Sequence, residues 1–310
     1  VAGLEGVRYL LDATVEAPAQ VFLMAPSCVP ATPLETAGAV LGPEQVEQLL
    51  GWPRVLGLAE MMNFPGVLGG EPQVLRKLAA ATGRSVDGHA PGLSGPELQA
   101  YIAAGARSEH EATTLEEGRE KLAAGMWVMI REGSAARNLA ELAPLLCGEG
   151  ADRCLLVSDD RNPVDLLELG HLDYSLRRAV QLGVPAHRAV RAVTANAAAR
   201  FGLHDRGAVA PGLRADLTVV ADLTDFVVLH ALRGGRLVAE LAPPADGTPL
   251  AGGRCRTGEL HAERFALRGP VTTASQARVR VIEVVPGQIL TRAGEAMLPV
   301  VDGRLQIPRD

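Results

Sequence analysis

The chain has 310 residues, 47% hydrophobic and 21% charged, with a formal net charge of −6. That is enough apolar sequence for one large core plus an appended module, and an acidic chain gives no electrostatic case for a nucleic-acid partner. No apolar run reaches the ~18 residues of a membrane span, no signal peptide opens the chain, and four scattered cysteines without a CxxC pair favour a reducing, cytoplasmic setting.

The sequence opens on Val1, inside a segment that reads as the middle of a helix, so an N-terminal truncation is expected. An apolar run over 20–24 enters a Pro-rich loop containing Cys28. A short helix is expected over 43–50. Strand 55–59 then delivers Glu60, and a helix over 72–82 follows. Strand 85–88 delivers His89 and leads to a helix over 94–104 with a Ser cap. Strand 105–109 delivers His110. The helix over 114–124 starts at Thr114, which has capping-box spacing to Glu117. The run 127–131 is a strand, 139–146 a helix, and 154–158 a strand that delivers Asp159 and Asp160. Two helices follow, over 173–182 and 186–201.

Near-continuous apolar strands alternating with helices argue for a parallel sheet covered on both faces. Six strand–helix units are visible, and a closed (β/α)8 barrel needs eight. Beyond residue 201 the character changes to turn-rich β sequence, with a tight hairpin expected in RGGRLV (233–238). Residues 242–258 read as a Pro- and Gly-rich linker, and 272–290 alternates toward strand.

The chemistry lies at the strand ends. Glu60, His89, His110 and Asp159 each end a short apolar run, as ligands do when they project from the C-terminal rim of a barrel. Carboxylate, imidazole, imidazole and carboxylate form a donor set for a catalytic divalent metal. Each has a plainer alternative. Glu60 could be a cap or salt-bridge residue, His110 a histidine paired with its flanking glutamates, and Asp159 or Asp160 a helix cap. Their joint occurrence in order favours metal-activated water, with a strand-end carboxylate passing its proton to the leaving group. Asp159 is the expected ligand, with Asp160 as runner-up. Arg131 and Ser134 could bind substrate or serve structure. Cys28 could line the pocket, although a small buried hydrophobe is the plainer reading. His171 reads as a packing residue. There is no Walker loop or complete GxGxxG to support nucleotide-phosphate binding.

Six segments in order, PSCVPATPLETAGA (26–39), LAEMMNFPGV (58–67), DGHAPGLSG (87–95), SEHEATT (108–114), VMIREGSA (128–135) and SDDRNP (158–163), closely resemble the adenine deaminases of the amidohydrolase superfamily. TANAAARFGL (194–203) and GAVAPGLRADL (207–217) look like that superfamily's closing elements, and VIEVVPGQILT (281–291) like the start of the deaminases' C-terminal domain.

The resemblance implies an incomplete metal-dependent TIM-like barrel over 1–205, its first strands missing. It implies a small β-sandwich segment over 206–241 and the start of a C-terminal α/β domain over 259–310. It also implies a binuclear site for Mn(II) or Fe(II), or Zn(II) under some conditions. Glu60 would bridge the metals, His89 and His110 would hold one of them, and Asp159 would touch the other and shuttle a proton. Water would displace ammonia at C6 of adenine to give hypoxanthine. The substrate is thus a small molecule, handled by a chain expected to form a homo-oligomer. The family's first strand carries a His-x-His pair, and this chain has no histidine before His89. Weak metal binding and poor turnover are therefore expected of the chain as it stands. The competing readings are another amidohydrolase acting on a cyclic amide or N-acetyl substrate, and a catalytically dead binding module.

Overall fold

A computed structural model describes residues 2–32, 34–241, 259–268, 275–288 and 290–308. It divides into two compact units, Val1–Gly253 and Arg254–Asp310. The linker expected over 242–258 lies outside the described residues.

The first unit begins with α1 (Gly3–Ala13), β1 (Leu23–Ala25), α2 (Pro43–Leu50) and β2 (Val55–Met61). It continues with α3 (Phe64–Leu68), α4 (Pro72–Ala80), β3 (Ser85–Gly88), α5 (Gly95–Ala103), β4 (Ser108–Glu109), α6 (Leu115–Ala123) and β5 (Trp127–Arg131). Then come α7 (Leu139–Cys147), β6 (Cys154–Val157), α8 (Pro163–Glu168), α9 (Leu172–Gln181), α10 (Ala186–Val193) and α11 (Ala195–Arg200). The expected alternation is present, and the strands pair in parallel as β1-β2-β3 and as β4-β5-β6. Buried Val55, Leu58, Val128, Ile130, Leu155 and Leu156 fill the strands, and the helices cover them with Val46, Leu49, Leu98, Leu142 and Leu146. A sheet buried on both faces needs such runs in place of an alternating pattern.

Several boundaries differ from the sequence reading. β2 extends two residues further than expected, so Glu60 lies within it. β4 shrinks to two residues because the chain turns at Gly105 (φ 121°) just before it. The expected helix over 186–201 breaks at Thr194 (φ −125°, ψ −90°), whose Oγ1 donates back to the Val190 carbonyl at 2.7 Å. Such back-bonding competes with the helix ladder. Ser94 sits at the N-cap of α5 without a side-chain capping bond, and Glu120 Oε1 accepts from Gly95 N instead. His171, expected to pack, is exposed at the N-cap of α9 and hydrogen-bonds through Nε2 to Ser158 Oγ (2.9 Å).

β3 and β4 run side by side without a ladder between them, which divides the strands into two sheets at a seam. A backbone bond from Arg107 N to Val86 O (3.1 Å) crosses it. Arg200, from α11, crosses it as well. Its guanidinium donates to Ser85 Oγ (2.9 Å), Val86 O (2.9 Å), Asp87 Oδ1 (2.6 Å) and Ser108 Oγ (3.0 Å). Gly88 also lies on the seam. A Cβ there would overlap the Ser108 carbonyl oxygen and come within 3.1 Å of the Tyr101 ring. Gly88→Ala is therefore expected to cost about 1–3 kcal/mol, as overpacking in a closed core does. Urea unfolding would show this, and an unchanged midpoint would refute the steric argument.

The first unit ends in an antiparallel sheet of β7 (Leu217–Val220), β8 (Val228–Arg233) and β9 (Arg236–Leu237). β8 and β9 form the expected hairpin, turning through Gly234 (φ 56°) and Gly235 (φ 81°), backbone angles that glycine adopts without strain. The second unit is another antiparallel sheet, β10 (Gln276–Val284), β11 (Thr291–Val301) and β12 (Arg304–Leu305). Among the described residues no helix is long and apolar enough to cross a membrane, and Cys28, Cys147 and Cys154 are free thiols.

Candidate metal centre and active site

The C-terminal ends of the strands bring the sequence-predicted residues together. Glu60 projects from β2, while His89 and His110 directly follow β3 and β4. His89 Nδ1 lies 2.7 Å from Glu60 Oε2, and His110 Nε2 lies 3.1 Å from the same oxygen. The two rings meet edge to face with centroids 5.3 Å apart. One ligand atom from each of the three falls within 4.8 Å of the others. One carboxylate oxygen and two imidazole nitrogens, drawn from separate rigid elements and partly open to solvent, suit a divalent cation that keeps room for a further ligand.

A residue that the sequence reading left aside completes the cluster. Glu111 is 1% exposed and places Oε1 3.2 Å from His110 Nε2 and 3.6 Å from His89 Nδ1. Together with His110 and Asp159 it forms a second group whose ligand atoms lie within 4.8 Å. Its signal was the second glutamate of SEHE (108–111), which reads equally well as a surface partner for His110.

Arg131, 2% exposed at the end of β5, is held by carboxylates and presents no open guanidinium. It grips Glu111 through both terminal nitrogens (Nη2 to Oε2, 3.0 Å) and Asp159 Oδ2 at 2.8 Å. Asp159 itself has φ 52°, a left-handed conformation that aspartate tolerates better than most residues. Ser134 Oγ donates to Asp165 Oδ2 at 2.5 Å and accepts from Asn162 N, so it fastens the start of α8. Asp160 is exposed, and its carbonyl accepts from Ser134 N. Cys28 packs half-buried against the first core beside Ser27, whose hydroxyl donates to the Glu60 carbonyl.

The electrostatics follow from these contacts. Hydrogen bonds from His110 and His89 hold the Glu60 carboxyl well below the usual carboxylate range. Burial pulls the His110 imidazole down, but the Glu60, Glu109 and Glu111 carboxylates outweigh it and the net shift is upward. Burial pushes the Glu111 carboxyl up against the opposing pull of Arg131 and the two histidines. The cluster thus gathers more carboxylate than its buried cation balances, an environment in which a divalent cation is favoured.

Comparison with known proteins agrees with this geometry. The model of the amidohydrolase family matches residues 2–238. The chain is 45% identical over 308 residues to adenine deaminase 2 of Carboxydothermus hydrogenoformans, covering 98% of this chain and 53% of that protein. It is 48% identical over 306 residues to an adenine deaminase of Nitratidesulfovibrio vulgaris strain DP4, covering 96% and 52% respectively. The chain thus spans about half the length of the curated relatives it matches. Among solved structures it resembles a β-aspartyl dipeptidase of Fervidobacterium islandicum AW-1, with a TM-score of 0.55 at 16% identity over 80% of this chain and 72% of that one. This last likeness extends to the fold, which in the amidohydrolase family is a TIM-like barrel.

Proposed function

We propose that this chain, which belongs to the amidohydrolase family, takes part in the metal-dependent hydrolysis of adenine to hypoxanthine and ammonia. The observation that carries the reading is the convergence of Glu60, His89 and His110 in a chain close to half identical to adenine deaminases along nearly its whole length. In this reading the six strands belong to an eight-stranded barrel, residues 206–241 to a β-sandwich, and the protein works as a cytoplasmic homo-oligomer.

Glu60, His89 and His110 would hold the metal, with Glu111 and Asp159 bordering a second position. Mn(II), Fe(II) and Zn(II) all suit mixed imidazole and carboxylate donors. When bound, such a cation acts as a Lewis acid and lowers the pKa of water toward ~7. The remaining work falls to the protein. Asp159 accepts a proton from the attacking water and returns it to the departing amine. Arg131 fixes the Asp159 carboxylate through Oδ2, so the proton carrier is oriented before substrate arrives.

Ammonia release from adenine by the Mn(II)-loaded full-length protein that contains this chain tests this reading, with His89→Ala alongside. Release that disappears in the variant is expected. No release from folded, metal-loaded protein would sink adenine as substrate, and activity on a cyclic amide or N-acetyl compound would then name the alternative.

A further inference from the structure

We propose that Glu109, Lys121 and Glu117 form a buried positioning network that sets the affinity of the candidate centre for a divalent cation, an inference resting on the metal-site reading above. Lys121 and Glu109 are each 0% exposed, and the Glu117 side chain is 13% exposed. Lys121 Nζ lies 3.2 Å from Glu109 Oε2 and 2.7 Å from Glu117 Oε1. A buried ion pair is weak evidence for stability, because its desolvation offsets its attraction. The reason for this one lies in what its carboxylates hold.

Each carboxylate spans both ligand-bearing loops. Glu109 accepts from Ala90 N through Oε2 (3.2 Å) and from Glu111 N through Oε1. Those are the peptide N–H groups immediately following His89 and His110. One carboxylate therefore fixes the backbone on the C-terminal side of both histidines. Glu117 repeats the arrangement one step further out, accepting from Gly92 N (2.8 Å) and Thr113 N (3.0 Å). Lys121 donates to the Ala90 carbonyl at 2.9 Å and supplies the positive charge that lets two carboxylates share a dry space. The capping box expected at Thr114 is accordingly half made. Thr114 Oγ1 accepts from Glu117 N, while the Glu117 carboxylate serves the loops and not the Thr114 amide.

These loops leave β3 and β4, the two strands that share no ladder. At the rim the network does what a ladder would otherwise do. It ties the sheet carrying Glu60 and His89 to the sheet carrying His110, Glu111 and Asp159. Partners of this kind orient ligands, and their loss typically lowers metal affinity about 10- to 100-fold.

The test is a Co(II) titration of the 310-residue chain, followed by visible absorption, with metal-free thermal unfolding in parallel. The charge-neutral variant Glu109→Gln/Lys121→Met leaves one acceptor for two backbone N–H groups. It is expected to bind Co(II) about 10- to 100-fold more weakly and with an altered spectrum, while unfolding cooperatively. Unchanged affinity in a folded variant would overturn the proposal. Should the double variant fail to fold, Glu117→Gln removes one acceptor only and answers the same question by the same readout. Wild-type binding that is absent, or that survives His89→Ala, would also overturn it, since there would be no centre to position. Ammonia release is scored separately: its absence alongside network-dependent Co(II) affinity counts against adenine alone and supports the network.

Discussion

Replacing Arg200 by methionine is expected to lower the unfolding free energy by about 3–5 kcal/mol, the cost of leaving a buried charge without its partner. The Arg200 and Asp87 side chains are 3% and 15% exposed, and they meet at 2.6 Å across the seam. Burial pushes the Asp87 carboxyl up, and burial likewise pulls the Arg200 guanidinium down, in each case against the attraction of the other. Both shifts disfavour the charged forms, so the pair recovers little of its desolvation and serves mainly to specify a geometry. Arg200→Met/Asp87→Asn should therefore regain much of the loss.

The pH dependence has a definite sign. Asp87 titrates higher in the folded state than in the unfolded chain, so the folded protein binds the extra proton and stability falls as pH rises through that window. Removing Arg200 raises the folded-state value further. The deficit of the variant relative to wild type should then be largest at neutral pH and shrink on acidification toward the unfolded aspartate value of ~3.9. Urea unfolding at pH 7.5 and pH 5 would check both statements. A deficit that grows in acid would contradict them.

Asp159→Asn is expected to reduce kcat for adenine by about 10²–10⁴-fold, the usual contribution of a positioned proton carrier. The substitution is a clean probe because Arg131 keeps its two-point pairing with Glu111, so no buried cation is stranded. Glu60, His89 and His110 are untouched, so the affinity of the position they form and the unfolding midpoint should stay near wild type, while any loss of binding falls on the second position that Asp159 borders. Steady-state ammonia release with a parallel metal titration separates the two effects. A variant that retains most of its kcat would move the proton transfer to another group, with Asp160 next in the chain.

Much of this architecture was legible because strand ends punctuate the sequence. Apolar runs stop at Glu60, His89 and His110, and the structure gathers those three. What escaped was whatever depends on side chains meeting across elements. Glu111 follows His110 directly, and nothing local distinguishes a glutamate turned inward from one turned to water. Lys121 sits on α6 among LEEGREKLA (115–123), so polar that the helix looks wholly solvated. Only the loops above β3 and β4 make its burial intelligible. Arg131 ends a strand on the presumed active-site face, which left a substrate role and a structural one both open, and only the folded chain shows the two carboxylates that hold it. The seam was invisible for the same reason, since a run such as Ser85–Gly88 does not announce which neighbour it lacks.

That seam would make a metal-loaded candidate centre a clasp. A cation shared by Glu60 and His89 on one side and His110 on the other would span the line along which the strands are not laced. Its grip would depend on how far apart the two sheets stand. Arg200, gripping the floor at Ser85–Asp87 and Ser108, and Glu109, gripping the rim, hold the two ends of that one line. A change at the floor would therefore be felt at the mouth, through the spacing of two histidines that Arg200 never touches.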